Sequence, residues 1–123
     1  MPVRGLDHYH IDTRDLAGTI AFYRDVLGMT LGDRPAFDIP GAWMCANGQA
    51  VIHVNEVGDP KASETGPVDH VAFEAEDFES MCDRLRRLGV SYEVVDSRPK
   101  RPLRQIYLRD PNSVRIELGF RGA

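Results

Sequence analysis

Histidine is scarce in this chain of 123 residues, and its four copies stand at positions 8, 10, 53 and 70. His8 and His70 each follow an aspartate and lie 62 positions apart, and Glu117 follows His53 at an interval of 64. Three imidazoles and one carboxylate supply the nitrogen and oxygen donors that Zn, Ni, Fe, Mn and Co accept in proteins. Whether these four side chains act together depends on the elements that carry them.

An internal repeat accounts for the intervals. The motifs around the histidines recur at an offset that drifts by only a few residues, in the pairs Asp7-His8 and Asp69-His70, Asp15-Leu16 and Asp77-Phe78, and Leu27-Gly28 and Leu88-Gly89. We interpret the chain as a single domain, 1–123, built from two modules at about 4–56 and 68–120. The segment 57–67 between them has the Gly, Pro and polar composition of a linker.

Each module is predicted to have the order β-α-β-β-β. Asp15 and Asp77 are placed to cap a helix, and Gly28 and Gly89 are placed to end it. Two amphipathic stripes define the helices, Leu16, Ile20, Tyr23 and Leu27 in the first and Phe78, Met81, Cys82, Leu85 and Leu88 in the second. Strands are predicted at 6–12, 29–38, 41–47 and 49–56 and at 68–74, 91–96, 103–109 and 113–119. The turns Asn47-Gly48 and Asp110-Pro111-Asn112 close equivalent hairpins.

Strand alternation then sorts the chemical residues into faces. His8 and His10 share one face of the first strand, and His53 and Asn55 share one face of the fourth. His70 opens the second module as His8 opens the first, and Glu117 takes the place of His53. The repeat therefore predicts one divalent metal ion held by His8, His53, His70 and Glu117.

Five further residues are candidates for binding the substrate: Trp43, Phe37, Asn55, Tyr107 and Arg115. Trp43, Phe37 and Tyr107 are expected either to line an apolar pocket or to be plain core. Arg115, on the face of Glu117, is expected either to bind a substrate anion or to face solvent.

Composition limits the classes of function. A formal charge of -4 without a Lys/Arg-rich run excludes a general nucleic-acid binder. We expect no membrane association, because no apolar run is long enough to span a bilayer, and a cytoplasmic location, because the start has no signal-peptide core. Cys45 and Cys82 fit no metal-binding spacing and are expected to be free thiols.

The motifs resemble those of the vicinal oxygen chelate superfamily, which includes glyoxalase I, methylmalonyl-CoA epimerase, extradiol dioxygenases and fosfomycin and bleomycin resistance proteins. The matching stretches are Leu6-Asp7-His8, Phe22 to Met29, Val68 to Phe73, Tyr107 to Asn112 and Ile116-Glu117-Leu118. The resemblance implies an α+β fold of two tandem βαβββ modules that form a cup-shaped half-barrel around the metal. It also implies a homodimer, in which sites are built within one chain or shared between subunits.

The same resemblance implies the ligands His8, His70 and Glu117. The fourth ligand is Glu in many glyoxalases and Gln in epimerases, whereas this chain has His53. It is similar at 34–43 to a bacterial and plant glyoxalase-like subgroup in which histidine also occurs at that place.

We expect a glyoxalase-like lyase or isomerase acting on a small substrate with vicinal oxygens. Glu117 is the expected proton carrier, and His10 is a second candidate for a role in the relay. One alternative is an Fe(II) dioxygenase of the extradiol type, with His8, His70 and Glu117 as its ligands. Others are thiol or water transfer, as in fosfomycin resistance, and a non-catalytic drug-binding resistance protein.

Overall fold

The computed structural model describes residues 5–59, 68 and 70–122, and the chain divides into two compact units, 1–61 and 62–123. The first unit contains β1 (Tyr9–Thr13), α1 (Leu16–Ala21) followed by a π-helical turn (Phe22–Val26), β2 (Thr30–Leu31), β3 (Gly41–Ala46) and β4 (Gln49–Glu56). The second contains β5 (Val71–Ala75), α2 (Phe78–Leu88), β6 (Glu93–Asp96), β7 (Leu103–Arg109) and β8 (Arg115–Arg121). The predicted α+β class and the βαβββ order of each module are confirmed. Most of the predicted linker, residues 60–67, lies outside the described residues.

Both units have the same sheet topology. The strand order is β1-β4-β3-β2 in the first and β5-β8-β7-β6 in the second. In each sheet the first strand pairs in parallel with the last, and the other pairs are antiparallel. The chain between the first and last strands runs through the helical segment and the two other strands, which is long enough for parallel pairing, whereas a tight turn could not join parallel neighbours.

One face of each sheet packs against the helical segment of its own unit. In the first unit the buried apolar residues of this layer are Ile11, Phe22, Tyr23, Val26, Ala42, Met44, Ile52 and Val54. In the second they are Cys82, Leu85, Ile106, Leu108, Ile116, Leu118 and Phe120. Strand alternation leaves the polar side chains on the opposite face.

The first helix differs from its prediction. Asp15 caps it, since its carboxylate accepts the N–H of Gly18 over 2.9 Å, but the α-helical bonding ends at Ala21. The π-helical turn adds a residue to the turn and changes which side chains face the sheet. Thr19, Phe22, Tyr23 and Val26 are buried, whereas Leu16, Ile20 and Leu27 of the predicted stripe are only half-buried.

The second helix agrees more closely with its prediction. Asp77 caps α2 by accepting the N–H of Ser80 over 3.1 Å, and Gly89 ends it in the left-handed conformation with φ 70°. Cys82 and Leu85 are buried, whereas Leu88 is exposed, contrary to the predicted stripe.

Several strands are shorter than predicted. β1 begins at Tyr9, where pairing with Ile52 starts, and β5 begins at Val71, so His8 and His70 immediately precede their strands. The strand predicted at 29–38 is reduced to Thr30–Leu31. Chain 32–40 leaves the sheet after Gly32 donates to the Trp43 carbonyl, and two prolines in this segment lack the N–H that a ladder needs.

Hairpin turns and thiols are as predicted. Asn47 and Gly48 have φ of 51° and 80°, which suits the tight turn between β3 and β4. Cys45 and Cys82 are both free. No helix within residues 5–59, 68 and 70–122 has the length and apolar character to cross a bilayer.

Candidate functional site

The predicted ligands occupy matching positions in the two sheets. In the first unit His53 lies opposite His10 of β1 and Trp43 of β3. In the second unit Glu117 lies opposite Ala72 of β5 and Tyr107 of β7. The repeat seen in the sequence is therefore a repeat of strand register.

Three aromatic rings are stacked on the polar face of the first unit. The His8 and His53 rings have centroids 3.7 Å apart and are 13° from parallel, and Trp43 lies on the other side, 4.2 Å from His53 and 10° from parallel. A lone pair of imidazole lies in the plane of its ring, so two nearly parallel rings do not aim at one common point. To share one ion, either His8 or His53 would have to rotate from this stack.

The stack also favours the neutral form of His53. Burial lowers the pKa of His53, and the charge of the adjacent His8 lowers it further. His8 in turn contacts Asp7, with 2.6 Å between Nδ1 and Oδ2. Since the neutral imidazole is the form that binds metals, this environment keeps His53 available as a ligand near neutral pH.

A connected polar network surrounds Glu117 in the second unit. The Tyr107 hydroxyl donates to Oε1 of Glu117 over 2.9 Å, and His70 Nε2 lies 3.2 Å from the same oxygen. Arg115 Nη1 lies 3.5 Å from His70 Nδ1, and its guanidinium lies 4.3 Å from the centroid of the Tyr107 ring. Nδ1 of His70 therefore faces Arg115, which can only donate, and Nε2 is the ring nitrogen that faces Glu117. Tyr107 and His70 thus both contact the same oxygen of the carboxylate.

The other predicted site residues are distributed over both units. His10 lies beside His53, but its Nε2 is 2.8 Å from the Asp12 carboxylate, which holds the ring. Trp43 is half-buried and Phe37 is 56% exposed, so the alternative of plain core is wrong for Phe37. Asn55 is half-buried and accepts a hydrogen bond from Arg34.

Sequence reasoning did not single out Arg34, Asp38 or Ile39. Together with side chains of the polar face they line a cavity of about 400 Å³ in the first unit. Arg34 falls in the stretch 29–38 that was predicted to be a strand. The prolines at 35 and 40 were the signal in the sequence that this stretch forms a loop instead.

The chemistry of the donors fits a divalent transition metal, although neither unit completes a set. Within the described part of either unit, no three His, Cys, Asp or Glu side chains gather as one metal-binding group. The predicted ligands in the first unit are two imidazoles, and those in the second unit are an imidazole and a carboxylate. Such a mixture of nitrogen and oxygen donors suits Zn, Ni, Fe, Mn or Co.

Comparison with known proteins agrees with the fold and with the motifs. Metallothiol transferase FosB of Lysinibacillus sphaericus is 32% identical over 123 residues, which cover 95% of this chain and 82% of that protein. The protein YaeR of Escherichia coli is 27% identical and covers 94% of this chain and 95% of its own.

Solved structures show the same fold at lower identity. A glyoxalase family protein from Bacillus anthracis has a TM-score of 0.80 at 22% identity, with 98% of this chain and 97% of that chain covered. A variant of the fosfomycin resistance protein FosX from Listeria monocytogenes, complexed with Mn(II) and 1S,2S-dihydroxypropylphosphonic acid, has a TM-score of 0.77 at 20% identity, with 98% and 94% covered. Residues 5–118 match the family described as the Glyoxalase/Bleomycin resistance protein/Dioxygenase superfamily. The chain belongs to this superfamily.

Proposed function

We propose that this chain is a divalent-metal enzyme that acts on a small substrate with two neighbouring oxygens. The metal would be held by His8, His53, His70 and Glu117. The observation that carries the proposal is that these donors stand at matching places, just before the first strand and at the middle of the last strand of each unit. The names of FosB, a metallothiol transferase, and of FosX with Mn(II) support it.

A lyase or isomerase reaction of the glyoxalase type is the first candidate. When bound, a divalent ion polarises a substrate oxygen and stabilises the negative charge that develops there. Glu117 would accept the proton from the carbon next to that oxygen and return it to the neighbouring carbon. The Tyr107 hydroxyl, 2.9 Å from Oε1, holds the carboxylate in one orientation for this transfer. Arg115, beside His70, adds positive charge that favours an anionic substrate.

Transfer of a thiol to an activated substrate is the second candidate. The specific observation in its favour is the 32% identity with a metallothiol transferase. In this reaction Glu117 would receive the thiol proton, the thiolate would form a C–S bond to an epoxide carbon as the C–O bond to that carbon breaks, and the proton would pass to the alkoxide oxygen released by the opened ring. The two candidates therefore use the same carboxylate and differ in the atom that loses its proton.

The experiment combines metal analysis with a set of assays. Chain purified without added metal is analysed for transition metals, then stripped and reloaded with Mn, Ni or Zn, or with Fe(II) under anaerobic conditions. Hemithioacetal isomerisation, thiol addition to fosfomycin and catechol cleavage are measured on each form. We expect about one metal per site and isomerisation as the main activity, and Glu117→Gln should reduce metal affinity at least tenfold because it removes the only anionic ligand.

Glu93→Gln is the matched control, because Glu93 is an exposed glutamate of β6 in the same unit. It should leave metal content and activity unchanged. Less than about a tenth of an equivalent of any transition metal, with no uptake on addition, would overturn the metalloenzyme proposal. Ring cleavage with Fe(II) and no reaction with hemithioacetal or fosfomycin would replace both candidates by a dioxygenase.

Assembly as a homodimer and a cytoplasmic location are further parts of this proposal. The first rests on the resemblance of the motifs, and the second rests on the sequence. Light scattering of the purified chain tests the homodimer, and a mass of one chain at micromolar concentration would contradict it.

A further inference from the structure

The loop at 32–40 lines an open cavity together with the polar face of the first sheet. Its volume, about 400 Å³, lies within the usual range of small-molecule sites. The loop contributes Arg34, Phe37 and Asp38, and the sheet contributes Trp43 and His53. All of these residues belong to the first unit, so the cavity does not depend on the second unit.

Arg34 is a half-buried cation that has no carboxylate partner among the described residues. Its Nη2 donates to the Ile39 carbonyl over 2.9 Å and to Oδ1 of Asn55 over 3.3 Å. Among the described residues, neither Nε nor Nη1 has a hydrogen-bond partner, and no Asp or Glu oxygen lies within 4.0 Å of the guanidinium. A partly desolvated charge of this kind gains from an anionic ligand, because no carboxylate in the described part of the chain neutralises it.

Gly41 makes room for the guanidinium. A Cβ at this position would lie 2.7 Å from Nη2 of Arg34 and would collide with the Val54 carbonyl. The backbone is therefore shaped so that Arg34 lies close against β3. The two hydrogen bonds from Nη2 fix the guanidinium in that position and leave the other donors for a ligand.

The flat aromatic lining of the cavity is the ring of Trp43, which covers one face of His53, and the ring of Phe37. Trp43 and His53 are stacked 10° from parallel, and the Phe37 ring lies 4.8 Å from the Arg34 guanidinium carbon. Flat aromatic surfaces favour planar apolar groups, which stack on them in offset or edge-on arrangements. The cavity thus combines a preference for a planar group with one positive charge.

We propose that this cavity binds a planar monocarboxylate, such as an aromatic or conjugated acid, with Arg34 as the residue that recognises the carboxylate. A single negative charge is favoured over two because Arg34 is the one Lys or Arg among the described lining residues and Asp38 also lines the cavity. The cavity includes His53, so the bound acid would lie beside a proposed metal ligand. That the acid is a substrate rests on the proposed function, whereas its binding does not.

The test uses Trp43, which is the sole tryptophan of the chain and lies in the cavity wall. Metal-stripped protein is titrated at pH 7 with benzoate and with its neutral analogue benzamide, and the fluorescence of Trp43 is followed. Benzoate should bind saturably with Kd of about 1 mM, as expected for a ligand of this size, and at least tenfold more tightly than benzamide.

Substitutions separate charge recognition from loop structure. Arg34→Gln should abolish the preference for benzoate over benzamide, because the amide keeps hydrogen-bonding capacity but not the charge. Arg87→Gln, which removes an exposed arginine of α2, should leave the preference unchanged. Asp38→Asn should strengthen benzoate binding a few-fold, because it removes the carboxylate that repels the ligand.

Two results would overturn the inference. One is equal weakening of benzoate and benzamide by Arg34→Gln, which would show that Arg34 only supports the loop. The other is the absence of saturable benzoate binding up to about ten times the expected Kd. Because the protein is stripped of metal, failure of the metalloenzyme proposal leaves this binding intact, and failure of this binding leaves metal uptake intact.

Discussion

The hydroxyl of Tyr107 provides a direct test of how Glu117 is held. It donates to Oε1 of Glu117 over 2.9 Å, while the ring makes an edge contact with His70 at 5.9 Å and lies 4.3 Å from the Arg115 guanidinium. Tyr107→Phe keeps the ring and removes only the hydroxyl. Any effect therefore reports on the hydrogen bonding of that group and not on packing.

The expected loss follows from the burial of the carboxylate. A hydrogen bond to a charged group contributes about 1.5–3 kcal/mol. The Glu117 side chain is 15% exposed, so water replaces part of the lost donor, and we expect a decrease of about 1–2 kcal/mol in the free energy of unfolding. With about 2.1 cal/mol/K of unfolding entropy per residue, this decrease lowers the Tm of a 123-residue chain by about 4–8 °C.

The same substitution should weaken metal binding if the proposed function is right. Loss of a group that orients a ligand costs about 10–100-fold in metal affinity, measured here by competition with a chromophoric chelator. Tyr92→Phe is the matched control, because the Tyr92 hydroxyl contacts only the exposed Arg86 side chain, over 3.2 Å, among its described hydrogen-bond partners. Unchanged unfolding in urea and unchanged metal affinity in Tyr107→Phe would refute the argument that this hydroxyl holds Glu117.

Three further predictions concern stability. Asp77→Ala should cost about 1–2 kcal/mol in thermal or urea unfolding, because it removes the cap of α2 and leaves alanine with φ near 66°, whereas Asp77→Asn should cost less than about 0.5 kcal/mol. Thr13→Val should lower the free energy of unfolding by about 1–3 kcal/mol, because the Thr13 hydroxyl is buried and lies 3.1 Å from that of Thr19. If the losses of Thr13→Val and Thr19→Val simply add in the double variant, the two hydroxyls do not bond to each other. Burial and the charge of His8 lower the pKa of His53. As the pH falls below about 6.5, the imidazole of residue 53 therefore takes up a proton more readily in the unfolded chain than in the folded one, and the free energy of unfolding decreases. Urea unfolding of metal-free protein should show a smaller decrease between pH 7.5 and 5 in His53→Gln than in the unsubstituted chain.

Much of the fold was predictable because its signals are local. Asp15, Asp77 and Gly89 mark helix ends through their own side chain or backbone conformation, and Asn47-Gly48 marks a tight turn. The π-helical turn Phe22–Val26 was not predictable in this way. Its residues are compatible with an ordinary helix, and the burial of Phe22, Tyr23 and Val26 against the sheet selects the altered bonding.

Some residues of the candidate site were predictable from the sequence and others were not. The proposed ligands His8, His53, His70 and Glu117 could be predicted because the repeat places them at equivalent intervals. The role of Arg34 could not be read from its neighbours, since it depends on a carbonyl and an amide brought close by the fold and on a glycine in β3. The role of such a residue depends on packing between segments that are distant in the sequence.

The two sheets carry side chains of different charge at the same register position, an imidazole at His53 in β4 and a carboxylate at Glu117 in β8. At the middle of β4, His53 has an indole beside it, and burial with an adjacent imidazole disfavours its charged form. At the middle of β8, Glu117 has a hydroxyl at the place of that indole and accepts a hydrogen bond from it. The neighbour on the third strand therefore differs between the two proposed ligands, since an apolar ring suits a neutral imidazole and a hydroxyl suits an anion. A carboxylate introduced at residue 53 would meet Trp43 instead of a donor, so the fold repeats the position of the two proposed ligands but not their environment.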